Sequence, residues 1–168
     1  MGELELVIFD CDGVLVDSEV ISNDVLARAL TAEGLPTTLA QARREYQGML
    51  LSEVVARAQQ SLGRELADSW VRRFERDRAE AFRRELEAVP GAASTVQRVK
   101  DAGVLVCVAS QGSLQKTRMT LGLTGLRSLF PAHALFLGRA GAARKAPPGP
   151  VPARRRDDGS RAWRLRRG

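Results

Sequence analysis

The chain has 168 residues, 44% of them apolar, and 26 Lys and Arg stand against 20 Asp and Glu for a net charge of +6. That length suits one modest core, or a core carrying a small inserted module. The composition is that of an ordinary globular protein, and no apolar run approaches the roughly 20 residues needed to span a bilayer.

The positive charge is unevenly placed. Residues 139–168 hold ten Arg and Lys and only two Asp, which leaves 16 basic and 18 acidic side chains before them. A basic stretch can engage nucleic-acid phosphates. Here its one aromatic residue is Trp163, so no stacking pattern accompanies the charge and nucleic-acid binding is not expected. The opening MGELELVIFD lacks a basic region followed by an apolar one, so it does not read as a signal peptide. Leu6 stands where a myristoylation signal wants Ser or Thr. A cytoplasmic location is the default expectation. Cys11 and Cys107 lie in apolar runs without zinc or redox spacing, which predicts two buried, reduced thiols.

In chain order, LELVIF at 4–9 is near-continuously apolar and rich in strand formers, which predicts a strand buried on both faces. Helical spacing begins after Gly13, with Ser18 as the expected N-cap. Ile21, Val25, Leu26, Ala29 and Leu30 share one face before Gly34. Thr38 and Gln41 form a capping-box signature for a second helix, which Gly48 breaks. Ser52 is the expected cap of a third helix ending at Gly63. A long charged helix then carries Trp70, Phe74 and Phe82 at multiples of four. After Pro90-Gly91 a helix over 92–102 leads to the apolar strand VLVCVA at 104–109. A loop at Ser110-Gln111-Gly112 follows, then a helix capped by Ser113 and ending near Gly122. A strand, a helical excursion, then helix–strand–helix is the pattern of an α/β fold with a parallel sheet. Such sheets bind ligands at the carboxyl ends of their strands, where Asp10, Asp12 and Ser110 fall. From residue 139 the sequence is rich in Gly, Pro, Ala and Arg without either periodicity, which predicts a disordered or non-native tail.

The segment FDCDGVLVDSE carries the chemistry. Carboxylates at i and i+2 leave the strand on one side, and Gly13 gives the backbone freedom for a sharp turn. Two such acids can hold a hard divalent cation, and Mg²⁺ suits one or two carboxylates together with a phosphate. This segment resembles the first signature motif of the haloacid dehalogenase superfamily. The resemblance is to its branch of phosphoglycolate phosphatases, beta-phosphoglucomutases and small sugar-phosphate phosphatases.

The resemblance implies a Rossmann-like parallel-sheet core formed by residues 1–16 and 87–138, with an inserted small helical cap over 17–86 and the basic tail at 139–168. It implies Asp10 as the nucleophile, Asp12 as the acid/base partner, and both acids, through side chain or backbone, as holders of Mg²⁺. VLVCVASQGS resembles the second motif, with Ser110 and Gln111 binding the phosphoryl group; Lys116, on the next helix, reads as a solvated surface lysine. YQGMLLSEV resembles the substrate-facing cap loop, pointing to Gly48 and Met49. The implied activity is Mg²⁺-dependent hydrolysis of a small phosphorylated metabolite through an aspartyl-phosphate. A phosphomutase and a catalytically impaired remnant stand as alternatives.

The likeness runs from residue 4 to about 130. The third motif, a lysine in GKPxPD, has ARKAPPGP in its place, with Lys145 as its nearest counterpart. The fourth, an acidic pair after a strand, has no good counterpart, since Asp157-Asp158 follows no apolar run. Only three sheet strands are expected, so the core reads as incomplete and this chain as weakly active. His133, the single histidine, reads as a loop or core residue. A shift of reading frame near residues 130–136 is the expected origin of the tail.

Overall fold

The computed structural model describes residues 4–131 and 134–137. The tail at 139–168, with Lys145 and Asp157-Asp158, lies outside the described residues, as does His133.

Three parallel strands, β1 (Leu6–Asp10), β2 (Leu105–Ser110) and β3 (Leu135–Leu137), lie side by side in the order β1-β2-β3. Leu6 is in register with Leu105 and Asp10 with Ala109, so the strands end together. Asp10 and Ser110 therefore emerge at the same edge of the sheet. The helices are α1 (Glu19–Ala32), α2 (Leu39–Tyr46), α3 (Leu51–Leu62), α4 (Trp70–Glu85), α5 (Ala92–Asp101) and α6 (Leu114–Leu123). The chain is an α/β fold with a short parallel sheet and a helical insertion after the first strand.

Two apolar clusters hold it together. One joins Cys11, Leu15 and Val16 to Val96, Val108, Leu121 and Phe130 around the sheet. The other joins Leu26 and Leu30 to Tyr46, Ala58, Trp70 and Phe74 among the inserted helices. The chain passes between them twice at one place. Val16 bridges Ala88 in antiparallel fashion, the Asp17 N–H donates to the Glu87 carbonyl at 3.0 Å, and the Val89 N–H donates to the Leu15 carbonyl at 3.0 Å. The insertion thus leaves and rejoins the sheet layer on a paired double crossing.

Local signals operate where the cap is built from neighbours in sequence. The Thr38 hydroxyl accepts from the Gln41 N–H and the Gln41 side chain accepts from the Thr38 N–H, a complete capping box. The Ser113 side chain accepts from the Lys116 N–H at the start of α6. Three local expectations are corrected. Ser52 lies inside α3; the N-cap is Leu50, whose N–H is taken by the Glu53 carboxylate at 2.8 Å. Ser18 occupies the N-cap position of α1 but its side chain makes no capping bond. The first strand is not buried on both faces. Val7 and Phe9 are half-buried, whereas Leu6 and Ile8 are exposed, because among the described residues β1 is an edge strand with nothing packed over that side.

Candidate active site at the strand ends

The loop after β1 folds back on itself. The Leu15 and Val16 N–H groups both donate to the Cys11 carbonyl, at 3.0 and 3.1 Å, and the Gly13 N–H donates to the Val16 carbonyl at 2.9 Å. Gly13 sits at φ +74°, where a side chain would be strained. This turn sends Asp10 and Asp12 to the same side and buries Cys11 between them. Burial, with the Asp12 charge next, pushes the Cys11 thiol up to about 11, so it stays protonated and inert at neutral pH.

Asp10 is exposed, and its Oδ1 accepts from the Cys11 N–H at 2.7 Å. Asp12 is more enclosed and more heavily engaged. Its Oδ1 accepts from the buried Ser18 hydroxyl at 2.6 Å and from Lys116 Nζ at 2.6 Å, and its Oδ2 lies 3.5 Å from the Ser110 hydroxyl. Burial alone would push the Asp12 carboxyl up. The Lys116 charge and hydrogen bond, then Ser18, then the Arg78 charge outweigh burial and hold it below the usual carboxylate range. In the free site Asp12 is therefore a carboxylate.

Ser110 ends β2 and is 3% exposed. Its Oγ accepts from the Gly112 N–H at 3.0 Å, which fixes the loop. Opposite stands a wall contributed by the insertion. The cavity between them, about 850 Å³, is lined by Asp10, Asp12, Ser110 and Gln111 on one side and by Gly48, Met49 and Arg78 on the other. The structure thus brings together the sequence-derived candidates Asp10, Asp12, Ser110, Gln111, Gly48 and Met49 around one space; Lys145 lies outside the described residues.

Two basic residues at this cavity escaped the sequence reading. Lys116 is not a solvated surface residue: its side chain is 15% exposed and ion-paired with Asp12. The signal that could have found it is its place on the first turn of the helix after Ser110, where a long side chain reaches the strand ends. Arg78 lies 4.8 Å above the Phe74 ring and 3.9 Å from Glu75, and burial draws its pKa down. Its signal was plainer: it interrupts the apolar stripe Trp70, Phe74, Phe82 at the same spacing of four, and a charge on a buried stripe needs a reason.

Among the described residues no group of three or more His, Cys, Asp or Glu could enclose a metal ion. The donors nonetheless fit Mg²⁺ of the kind that keeps its waters and shares a phosphate. Asp10 presents an exposed carboxylate next to Asp12, and only one of its oxygens is tied to the backbone among the described residues. No helix of the described residues is long and apolar enough to cross a membrane.

Comparison with known proteins gives a consistent set of likenesses. The family model described as Haloacid dehalogenase-like hydrolase matches residues 7–135. The 6-phosphogluconate phosphatase of Escherichia coli (strain K12) is 30% identical over 139 residues, covering 82% of this chain and 61% of that protein. A conserved haloacid dehalogenase-like protein of unknown function from Agrobacterium tumefaciens superposes with a TM-score of 0.67 at 27% identity, over 80% of this chain and 59% of the other. A HAD family hydrolase from Deinococcus radiodurans, solved with bound phosphate and sodium, gives 0.61 at 26% identity, over 80% and 58%. The chain spans about three fifths of the length of these relatives.

Proposed function

The chain belongs to the haloacid dehalogenase-like hydrolase family, and from that premise we propose that it is built to hydrolyse a small phosphate monoester, of the sugar-phosphate or sugar-acid-phosphate class, at Asp10. The observation that carries this reading is the convergence of Asp10, Asp12 and Ser110 at the ends of two parallel strands, facing a cavity large enough for a small metabolite. The phosphatase activity named for the Escherichia coli relative supports the substrate class.

In this reading an Asp10 carboxylate oxygen attacks phosphorus and the ester P–O bond breaks. The leaving oxygen takes a proton from Asp12. A water then gives its proton to Asp12 and attacks the aspartyl-phosphate, which releases inorganic phosphate and restores Asp10. Covalent capture splits one hard displacement into two easier ones, and one carboxyl serves as acid and then base. The negative phosphoryl group itself favours a protonated Asp12 by like-charge repulsion as it enters. The Ser110 hydroxyl and the neighbouring Gln111 N–H hold the equatorial oxygens, while the Gly112 N–H stays on Ser110 Oγ. Asp10 and the Asp12 backbone carbonyl are the groups that would hold Mg²⁺, which when bound offsets the charge of carboxylate and phosphate. The helical segment 17–86 acts as the cap, with Gly48 and Met49 on its substrate-facing loop, excluding water and selecting the substrate.

The test is phosphate release from 6-phosphogluconate and other small phosphomonoesters, with Mg²⁺ and with chelator, by the wild type and by Asp10→Asn. Turnover is expected to be low, because the fourth family motif has no counterpart in this sequence. The part of it that needs Mg²⁺ should vanish in Asp10→Asn. Undiminished turnover in that variant would exclude Asp10 as nucleophile, and complete inactivity of the wild type would favour the non-catalytic remnant.

A further inference from the structure

We propose that Lys116 is the cation that receives the phosphoryl group in this site, and that Gly112 is the residue whose missing side chain lets it in. The proposal rests on the reading of Asp10 and Asp12 as a phosphoryl site.

The site has a charge problem. Two carboxylates stand side by side where a phosphate dianion must enter. Among the described residues only two cations, Lys116 and Arg78, line the cavity. Arg78 is occupied on the far wall by the Phe74 ring and by Glu75. Of the two, Lys116 ion-pairs with Asp12, 2.6 Å from its Oδ1.

An ammonium carries three N–H donors, and among the described residues one hydrogen bond from Lys116 Nζ goes to protein. Its stem lies between Gly112 and Phe82, with Nζ 5.9 Å from the centre of the Phe82 ring. A mostly buried ammonium with one protein acceptor, on the wall of the cavity that Asp10 also lines, is placed to share its remaining donors with an incoming anion. Asp12 holds it there while the site is empty.

Gly112 supplies the independent observation. It is absent from the glycines of left-handed φ, so its backbone does not call for glycine. Space does. A Cβ built there would lie 3.2 Å from Lys116 Cδ and 3.3 Å from Ser110 Oγ. The Lys116 side chain crosses back over the loop through the gap that Gly112 leaves, and Ser110, which Gly112 hydrogen-bonds, borders the same gap. Ser110, Gly112 and Lys116 form one packed unit. Any side chain at 112 must push the ammonium out of the site or disturb the hydroxyl.

The experiment is calorimetric titration of the full chain with tungstate, a phosphate mimic, at fixed Mg²⁺. The variants are Lys116→Met, Lys116→Arg, Gly112→Ala and the double variant Gly112→Ala/Lys116→Met, each checked for folding by circular dichroism. Lys116→Met should bind roughly tenfold to a hundredfold more weakly, the size of a lost charge-assisted hydrogen bond, and Lys116→Arg should recover part of the loss. Gly112→Ala should weaken binding in the wild type and add little in the Lys116→Met background, because both changes act through the same ammonium. If Lys116→Met does not fold, Gly112→Ala and Lys116→Arg carry the test alone. Wild-type affinity in Lys116→Met would overturn the proposal and leave the phosphoryl-site reading standing. Additive losses from the two substitutions would overturn the role given to Gly112. A wild-type chain that binds no tungstate would overturn the site reading itself, and the proposal with it.

Discussion

Ser18 offers the sharpest test of how this site is held. The sequence reads it as a helix cap, whereas the structure directs its hydroxyl to Asp12 at 2.6 Å, with the residue 1% exposed. A buried hydrogen bond to a charged group is worth about 1.5–3 kcal/mol. Lys116 shares the same oxygen and remains after Ser18→Ala, so the lower half of that range applies, about 1.5–2 kcal/mol. For a chain of this size that corresponds to a fall of roughly 3–8 °C in melting midpoint. A capping hydroxyl would give a loss of similar size, so the single variant does not discriminate. A double-mutant cycle with Asp12→Ala does. Denaturant unfolding of the four proteins near neutral pH should show Ser18→Ala costing little once Asp12 is gone, because its partner has been removed. Acid should abolish the coupling as well. Asp12 titrates below its ordinary value of 3.8 in the folded chain, so the contribution is fully present above that value and disappears as pH falls through the lower folded one. Equal costs of Ser18→Ala in both backgrounds would mean that Ser18 serves α1 and not Asp12, and the described geometry of the acid loop would fail with it.

Leu30 is fully buried among the inserted helices, and Leu30→Ala should cost about 2–5 kcal/mol in chemical denaturation; a loss under about 1 kcal/mol would contradict that packing. Cys11 and Cys107 are both buried with thiols pushed up by burial, so the native protein at pH 8 should leave an aromatic disulfide reagent unreduced until denaturant is added, when both thiols react. Rapid labelling of the native chain at either cysteine would refute the burial.

How much was legible in the sequence follows from how far each determinant reaches. The capping box at Thr38 and the cap at Ser113 involve partners three residues away, and the sequence shows both partners. The strand ends that carry Asp10 and Ser110 were legible because each apolar run stops at a polar residue where the strand gives way to its loop. The burial of the first strand was not legible. Its apolar run expresses a demand for cover on both faces, and among the described residues that cover is lacking beside Leu6 and Ile8. Ser52 lost the capping position because the Glu53 carboxylate reaches back to Leu50, and the local hydroxyl preference gave no warning of it. The Lys116 contact with Asp12 spans 104 residues. No local pattern encodes it; it required knowing that β1 and β2 are neighbours in register and that α6 starts at their common end.

The segment from Phe136 onward tests a different kind of legibility, that of the gene behind the chain. Similarity to the family model runs to residue 135, and the Arg, Pro and Ala-rich stretch follows where the third family motif is due. With free choice of synonymous codons, a reading shifted by one nucleotide turns Phe136 to Lys145 into FSAEQVRHGK and Ala146 to Gly159 into PPPDLFLHAAATMG. The joined reading contains GKPPPDLFL, the third motif in its usual form. Its lysine is spelled by the codons of Lys145 and Ala146, so Lys145 marks the place in the wrong frame. The same shift lets Trp163 to Arg167 read GVCVV, an apolar strand of the kind that leads to the fourth motif. Such a strand is also what the unpaired edge of β1 among the described residues asks for. Codon freedom favours any sought match, but each shifted position reaches only a few residues, and a run of this length is hard to obtain by chance. We therefore expect the nucleotide sequence across residues 130–168, read one nucleotide on, to spell a GKPxP-like segment followed by an apolar strand. A chain corrected accordingly should turn over small phosphomonoesters faster than this one, since it regains the third-motif lysine. If the actual codons in that frame give neither segment, the basic tail is genuine, and the weak activity expected of this chain has to be explained by the residues it has.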